Sequence, residues 1–191
     1  MAGEQRMTIS ETAAMTALAH PVRLDLLDHL MSRGPATASQ CARAVGDTPS
    51  NCSYHLRVLA RHGLVGAEES GDARERPWRA LVTGFDVDGL QDEPGSSRAR
   101  GASALAALSV QRDQRLVRDY LARRDEVPGP WRRVDGYNTY TLRMTPAELA
   151  ELTGRLDALI RPYIAATRED PPGDADLVHL GLHAFATEAG R

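Results

Sequence analysis

The feature that most limits the fold is a pair of short helical segments hinged at Gly46-Asp47-Thr48-Pro49. Thr37-Ala38-Ser39-Gln40 is a capping box, in which the Thr hydroxyl and the Gln amide satisfy orphan N–H groups at a helix start. That helix is short and stops at Gly46. Thr48 is placed to cap the next helix, with Pro49 in its first turn. The second helix runs to about His62, with Cys52, Leu56 and Leu59 on its inner side, and Gly63 ends it.

The flanking sequence completes a recognisable unit. Ser10 is placed to cap a helix carrying Ala14, Met15 and Leu18. His20-Pro21 stops that helix, because the residue before a proline is pushed out of helical geometry. Pro21 then suits the first position of a further helix, whose Val22, Leu26, Leu27 and Leu30 make an apolar stripe closed by Gly34-Pro35. Val65 to Glu69 and Arg76 to Val82 read as two strands around a Gly71-Asp72 turn. Two consecutive short helices followed by a two-stranded ribbon make a winged helix-turn-helix.

The second half is less regular. Residues 91–101 (QDEPGSSRARG) are polar and turn-rich and read as a linker. Ala102–Arg124 has helical periodicity through Leu105, Leu108, Leu116, Tyr120 and Leu121, and Val127-Pro128-Gly129-Pro130 breaks it. Tyr137–Met144 alternates as a strand. Thr145-Pro146-Ala147-Glu148 repeats the capping-box logic ahead of a helix with Leu149, Leu152, Leu156, Leu159, Ile160, Tyr163 and Ile164, and Leu177–Phe185 reads as a final strand. The expected fold class is α+β, a winged helix-turn-helix over residues 10–90 followed by a smaller helix-plus-strand region over 102–191. That region is expected to serve dimerisation or effector binding.

Composition excludes several classes. At 191 residues, the chain is long enough to bury a core without disulfides. Its two cysteines make no secreted framework and are too few for a Cys-rich zinc site. The start, MAGEQRMTIS, has no apolar h-region, and the longest apolar stretches, such as Ala102–Val110, fall short of a membrane span. A soluble, cytoplasmic protein is expected, with no membrane partner. The net charge of −3 argues against a whole surface that coats nucleic acid, though not against a local basic face. Every basic side chain besides histidine is arginine.

Such a face lies on the second hinge helix. With Cys52, Leu56 and Leu59 inward, Ser50, Asn51, Tyr54, Arg57 and Arg61 point outward or along the rims. No carboxylate occurs between Asp47 and Glu68, while His55, Arg57, Arg61 and His62 all fall there. Hydroxyls, an amide, a phenol and guanidinium groups suit base edges and phosphates, and the B-form major groove admits one helix entered by its N-terminal residues. The ribbon adds Arg74, Arg76 and Arg79, diluted by Glu68, Glu69, Asp72 and Glu75.

The segments ALAHPVRLDLLDHL, ATASQCARAVGDTPSNCSYHLRVLARHGLV and RERPWRA together resemble the ArsR-type winged-helix transcriptional regulators. The resemblance covers about Thr12 to Val82. It implies a homodimer on a palindromic operator in double-stranded DNA, acting as a repressor and dimerising through terminal helices. It also implies that Thr48, Pro49, Ser50, Asn51, Ser53, Tyr54, His55 and Arg57 hold the recognition-helix positions. The metal-sensing branch carries paired cysteines or terminal-helix ligands that are absent here, so no metal and no cofactor is expected. Two alternatives accompany this reading. One is a small-molecule effector bound in the second half, where Trp131, Tyr137, Tyr140, Tyr163 and Phe185 concentrate. The other is a thiol or metal switch through Cys41 and Cys52. His179 and His183 read as surface histidines on one side of a strand rather than ligands, and Glu148 as a cap rather than half of an acid pair with Glu151. No catalytic signature appears, so no enzyme activity is expected.

Overall fold

The computed structural model describes residues 7–9, 12–68, 76–87 and 89–187. In chain order the elements are β1 (Met7–Ile9), α1 (Thr12–Leu18), α2 (Pro21–Arg33), α3 (Ala38–Val45), α4 (Pro49–Arg61), β2 (Val65–Ala67), β3 (Trp78–Ala80), β4 (Phe85–Val87), α5 (Ser97–Ala122), α6 (Gly129–Arg132) and α7 (Pro146–Ile160). Short 3₁₀ turns follow α5 and α7.

The helix boundaries of the first half follow from local chemistry. His20 is extended and Pro21 opens α2, as proline geometry dictates. The Thr37 hydroxyl accepts from the Gln40 N–H while the Gln40 side chain accepts from the Thr37 N–H, so the capping box is complete. Gly46 sits at φ 71°, a left-handed position where a side chain would be strained. The Thr48 hydroxyl accepts from the Asn51 N–H at the start of α4. The Ser10 cap, the Gly71-Asp72 turn and Glu69 lie outside the described residues.

Packing gathers α1 to α4 around one core. Met15, Leu18, Leu26, Leu27, Leu30, Cys41, Cys52, Leu56, Leu59 and Leu64 are all buried in it. β2 and β3 pair antiparallel, Val65 opposite Ala80, and form the base of the wing. Ala36 exchanges two main-chain hydrogen bonds with Trp78 and ties the α2–α3 junction to that ribbon. A second, parallel pair of β1 and β4 joins the two ends of the unit, with Met7 opposite Phe85. Sequence patterning did not reveal this pair, because three-residue strands carry too few side chains to show alternation.

The second half departs from expectation in three places. α5 begins at Ser97, capped by the Ser96 hydroxyl on the Ala99 N–H, so it takes in much of the segment read as a linker. The Pro-Gly-Pro break contains a single helical turn, α6, because proline tolerates the first turn of a helix. Neither Tyr137–Met144 nor Leu177–Phe185 is a strand. Both are extended, but no main-chain ladder pairs them among the described residues. Alternation makes a strand only where a neighbour accepts its hydrogen bonds.

α5 docks through its first half. Ala102 and Leu105 are buried beside α1 and α2. Further along, Arg112 pairs with Asp25 at 3.2 Å and Asp28 at 2.5 Å, and Arg115 with Asp25 at 2.6 Å. Leu105 is the last buried residue; none of the described residues after it is buried.

Candidate nucleic-acid interface

α4 presents its outer face because its inner face is filled. Cys52, Leu56 and Leu59 are fully buried against α2 and α3, which leaves Ser50, Asn51, Tyr54, Arg57 and Arg61 in solvent. Tyr54 is 59% exposed. Thr48 and Pro49 are exposed at the leading end of the helix, and Ser53 is half-buried at its rim. Arg76 and Arg79 are exposed on the wing, while Arg74 falls outside the described residues.

Asp47 lies next to this face. Its carboxylate accepts from the Thr48 N–H at 2.6 Å and from the Asn51 side-chain amide at 2.6 Å. These two hydrogen bonds hold the Asp47 carboxyl below the usual carboxylate range. Asn51 is therefore oriented by Asp47. It must share or break that contact to read a base, which costs part of any gain.

His55 is only 6% exposed. Its ring lies 4.5 Å from the ring of His20 and 5.2 Å from that of Tyr54. Of the two roles open to it in the sequence, packing against the neighbouring helix is the one this geometry provides. Burial first, then the neighbouring His20 and Arg23, push the His55 pKa down; burial and Arg23 do the same for His20. His20 Nδ1, His55 Nδ1 and Arg23 Nε have no hydrogen-bond partner among the described residues. A polar seam of His20, Arg23 and His55 thus underlies the recognition helix. Sequence reasoning took His20-Pro21 only as a helix stop and missed the seam. The signal that could have found it is His20 and Arg23 together in the first turn of α2.

The other candidates are placed plainly. Cys41 and Cys52 are buried and free. Burial and the neighbouring Cys52 sulfur push the Cys41 thiol up to about 11, and burial raises Cys52 as well. Thiols held protonated are poor nucleophiles and poor metal ligands. The aromatic residues of the second half do not gather: Tyr137, Tyr140, Tyr163 and Phe185 are each more than half exposed. Glu148 caps α7 through Thr145, and Glu151 pairs with Arg155. No group of three or more metal-ligating side chains suited to an ion occurs among the described residues.

A three-helix core, a short hinge, an exposed second helix and a β-ribbon define a winged helix-turn-helix. Residues 18–65 match the helix-turn-helix domain family, and the chain carries that domain. It is 39% identical over 56 residues to two uncharacterized HTH-type transcriptional regulators of Mycobacterium tuberculosis, from strains CDC 1551 and H37Rv. The matched stretch is 29% of this chain and 49% of each of them, so the chain spans about half the length of the curated relatives it matches. One similar solved structure is the homodimeric winged helix-turn-helix DNA-binding domain of a possible ArsR-family regulator from Mycobacterium bovis. It is 25% identical with a TM-score of 0.34 and covers 55% of this chain and 79% of that one. Another is a transcriptional regulator homologue from Pyrococcus horikoshii, 30% identical with a TM-score of 0.32 over 51% and 88% of the two chains.

Proposed function

We propose that this chain is a sequence-specific DNA-binding transcriptional regulator, a repressor that acts as a homodimer on a palindromic operator. The observation that carries the proposal is the outer face of α4. It is exposed, free of carboxylates from Thr48 to the wing, and furnished with Ser50, Asn51, Tyr54, Arg57 and Arg61. Arg57 and Arg61 supply the groups for phosphates and base edges, Tyr54 a phenol, and Arg76 and Arg79 a second contact from the wing. His55 serves as a packing residue beneath them.

Two-fold symmetry would set two α4 helices in successive major grooves about 34 Å apart. The free end of α5, where Val117 and Leu121 are exposed, offers an apolar row for the second copy. Part-buried Leu108 and Leu116 continue that helix. A charge introduced as Leu116→Asp is expected to yield monomers in sedimentation; an unchanged dimer would place the seam elsewhere.

Selection of genomic fragments by the purified full-length protein tests the reading. Repeated recovery of fragments sharing one inverted repeat supports it. Recovery no better than with beads alone would leave a winged helix that contacts protein rather than DNA.

A further inference from the structure

The chain exposes 13641 Å². A compact monomer of 20.8 kDa exposes about 9,000 Å² by the scaling of folded surfaces with mass. The surplus, about 4,600 Å², is of the size that obligate dimers bury between their subunits.

That surplus has an address. Of the seventeen exposed large apolar side chains, fourteen lie beyond Leu105. Six of them stand in alternation on the two extended segments: Tyr140, Leu142 and Met144 on one, Val178, Leu180 and Leu182 on the other. Among the described residues, no main-chain hydrogen bond is made by residues 137–144 or 177–185. Each segment is therefore an apolar row with an unpaired main chain, the condition that recruits another strand.

The second segment is also held in place. His179 Nε2 lies 3.1 Å from Asp113 Oδ1, and His183 Nε2 lies 3.0 Å from Asp113 Oδ2. A Cβ on Gly181, between the two histidines, would stand 3.2 Å from Asp113 Oδ2, so glycine permits the close approach to α5. With alternate residues turned toward α5, Val178, Leu180 and Leu182 are turned away from it and into solvent. They carry an apolar surface onward from the exposed Val117 and Leu121 on the same helix.

We propose that residues 137–144 and 177–185 pair as strands with a second copy of this chain, so that the C-terminal half completes its fold only across the dimer. The area supports this occupant: two identical arms, each with a comparable surplus, cover one another. The proposal rests on the homodimer reading for the identity of the partner.

The test is hydrogen exchange by mass spectrometry on the full-length protein, with sedimentation giving the number of copies. At concentrations where the protein is a dimer, amides of 137–144 and 177–185 are expected to exchange at least about tenfold slower than in an unstructured chain. That protection is expected to vanish on dilution into the monomer range, while α2 and α4 stay protected. In the Leu180→Asp, Leu182→Asp double variant, the unmutated 137–144 segment is expected to lose protection too. A dimer whose two segments exchange at unstructured rates would overturn the strand pairing and leave the homodimer standing. A monomer at every concentration would overturn both. Because dilution of the wild-type protein is itself decisive, a poorly folding variant does not rescue the proposal.

Discussion

Helices α3 and α7 start with the same device and end in opposite circumstances. Thr37 and Gln40 close a capping box on α3, and Thr145 and Glu148 close one on α7. α3 then buries Cys41 and Ala42 in the core, whereas α7 buries nothing despite Leu149, Leu152, Leu156 and Leu159. A cap decides where a helix begins, and a complementary surface decides whether it is buried. The first half of the chain supplies that surface to itself; the second does not.

The sharpest way to break this contrast is to remove buried and exposed leucines in turn. Leu27→Ala, at a fully buried site on α2, is expected to cost about 3 kcal/mol of the winged-helix stability. Leu159→Ala on α7, where the side chain is 69% exposed, is expected to move the same transition by no more than about 0.5 kcal/mol. Urea unfolding followed at Trp78 in a Trp131→Phe background measures both. Equal losses would mean that α7 belongs to the same cooperative unit.

The two caps sharpen the comparison further. Thr37→Ala is expected to lower the stability of the whole winged helix by about 1 kcal/mol. Thr145→Ala removes an equivalent set of bonds, yet its effect is expected to stay local. It would speed amide exchange over Pro146–Ile160 and leave α2 to α4 unchanged.

A smaller effect concerns the seam behind α4. His20 and His55 have pKa values below the ordinary 6.5 in the folded chain, chiefly through burial. Both are neutral when folded, and their contribution is complete above the unfolded value. As pH falls below about 6.5, the unfolded chain takes up the protons first and stability is lost until the lower folded values are passed. The melting temperature is therefore expected to decline from pH 6.5 downward. His55→Gln is expected to make the decline shallower without abolishing it, since His20 and His29 are also shifted down. A slope identical to that of the wild type would remove His55 from the account.

What the sequence made legible follows the same divide. Thr37, Gly46, Thr48, Pro49 and Gly63 act within a few residues of themselves, and each sits where local chemistry puts it. The outward set on α4 was legible for the same reason, since helical spacing and three inward residues fix the remaining positions. The pairing of β1 with β4 and the approach of His179 and His183 to Asp113 join residues about 70 or more positions apart. No periodicity encodes such contacts. The burial of His55 was hidden as well, because it depends on His20 and Arg23 from another helix. Alternation over Tyr137–Met144 and Leu177–Phe185 correctly indicated extended chain but said nothing of a partner.

The most direct test of the DNA-reading surface is fluorescence anisotropy on a fragment retained by the selection, with the wild-type protein and Arg57→Ala. Arg57 is exposed on α4 and makes no contact that holds the fold. The expected result is a loss of at least ~1 kcal/mol in operator affinity, with a shallower salt dependence and an unchanged melting temperature. Operator affinity equal to that of the wild type, in an equally stable variant, would contradict the assignment of this face to DNA.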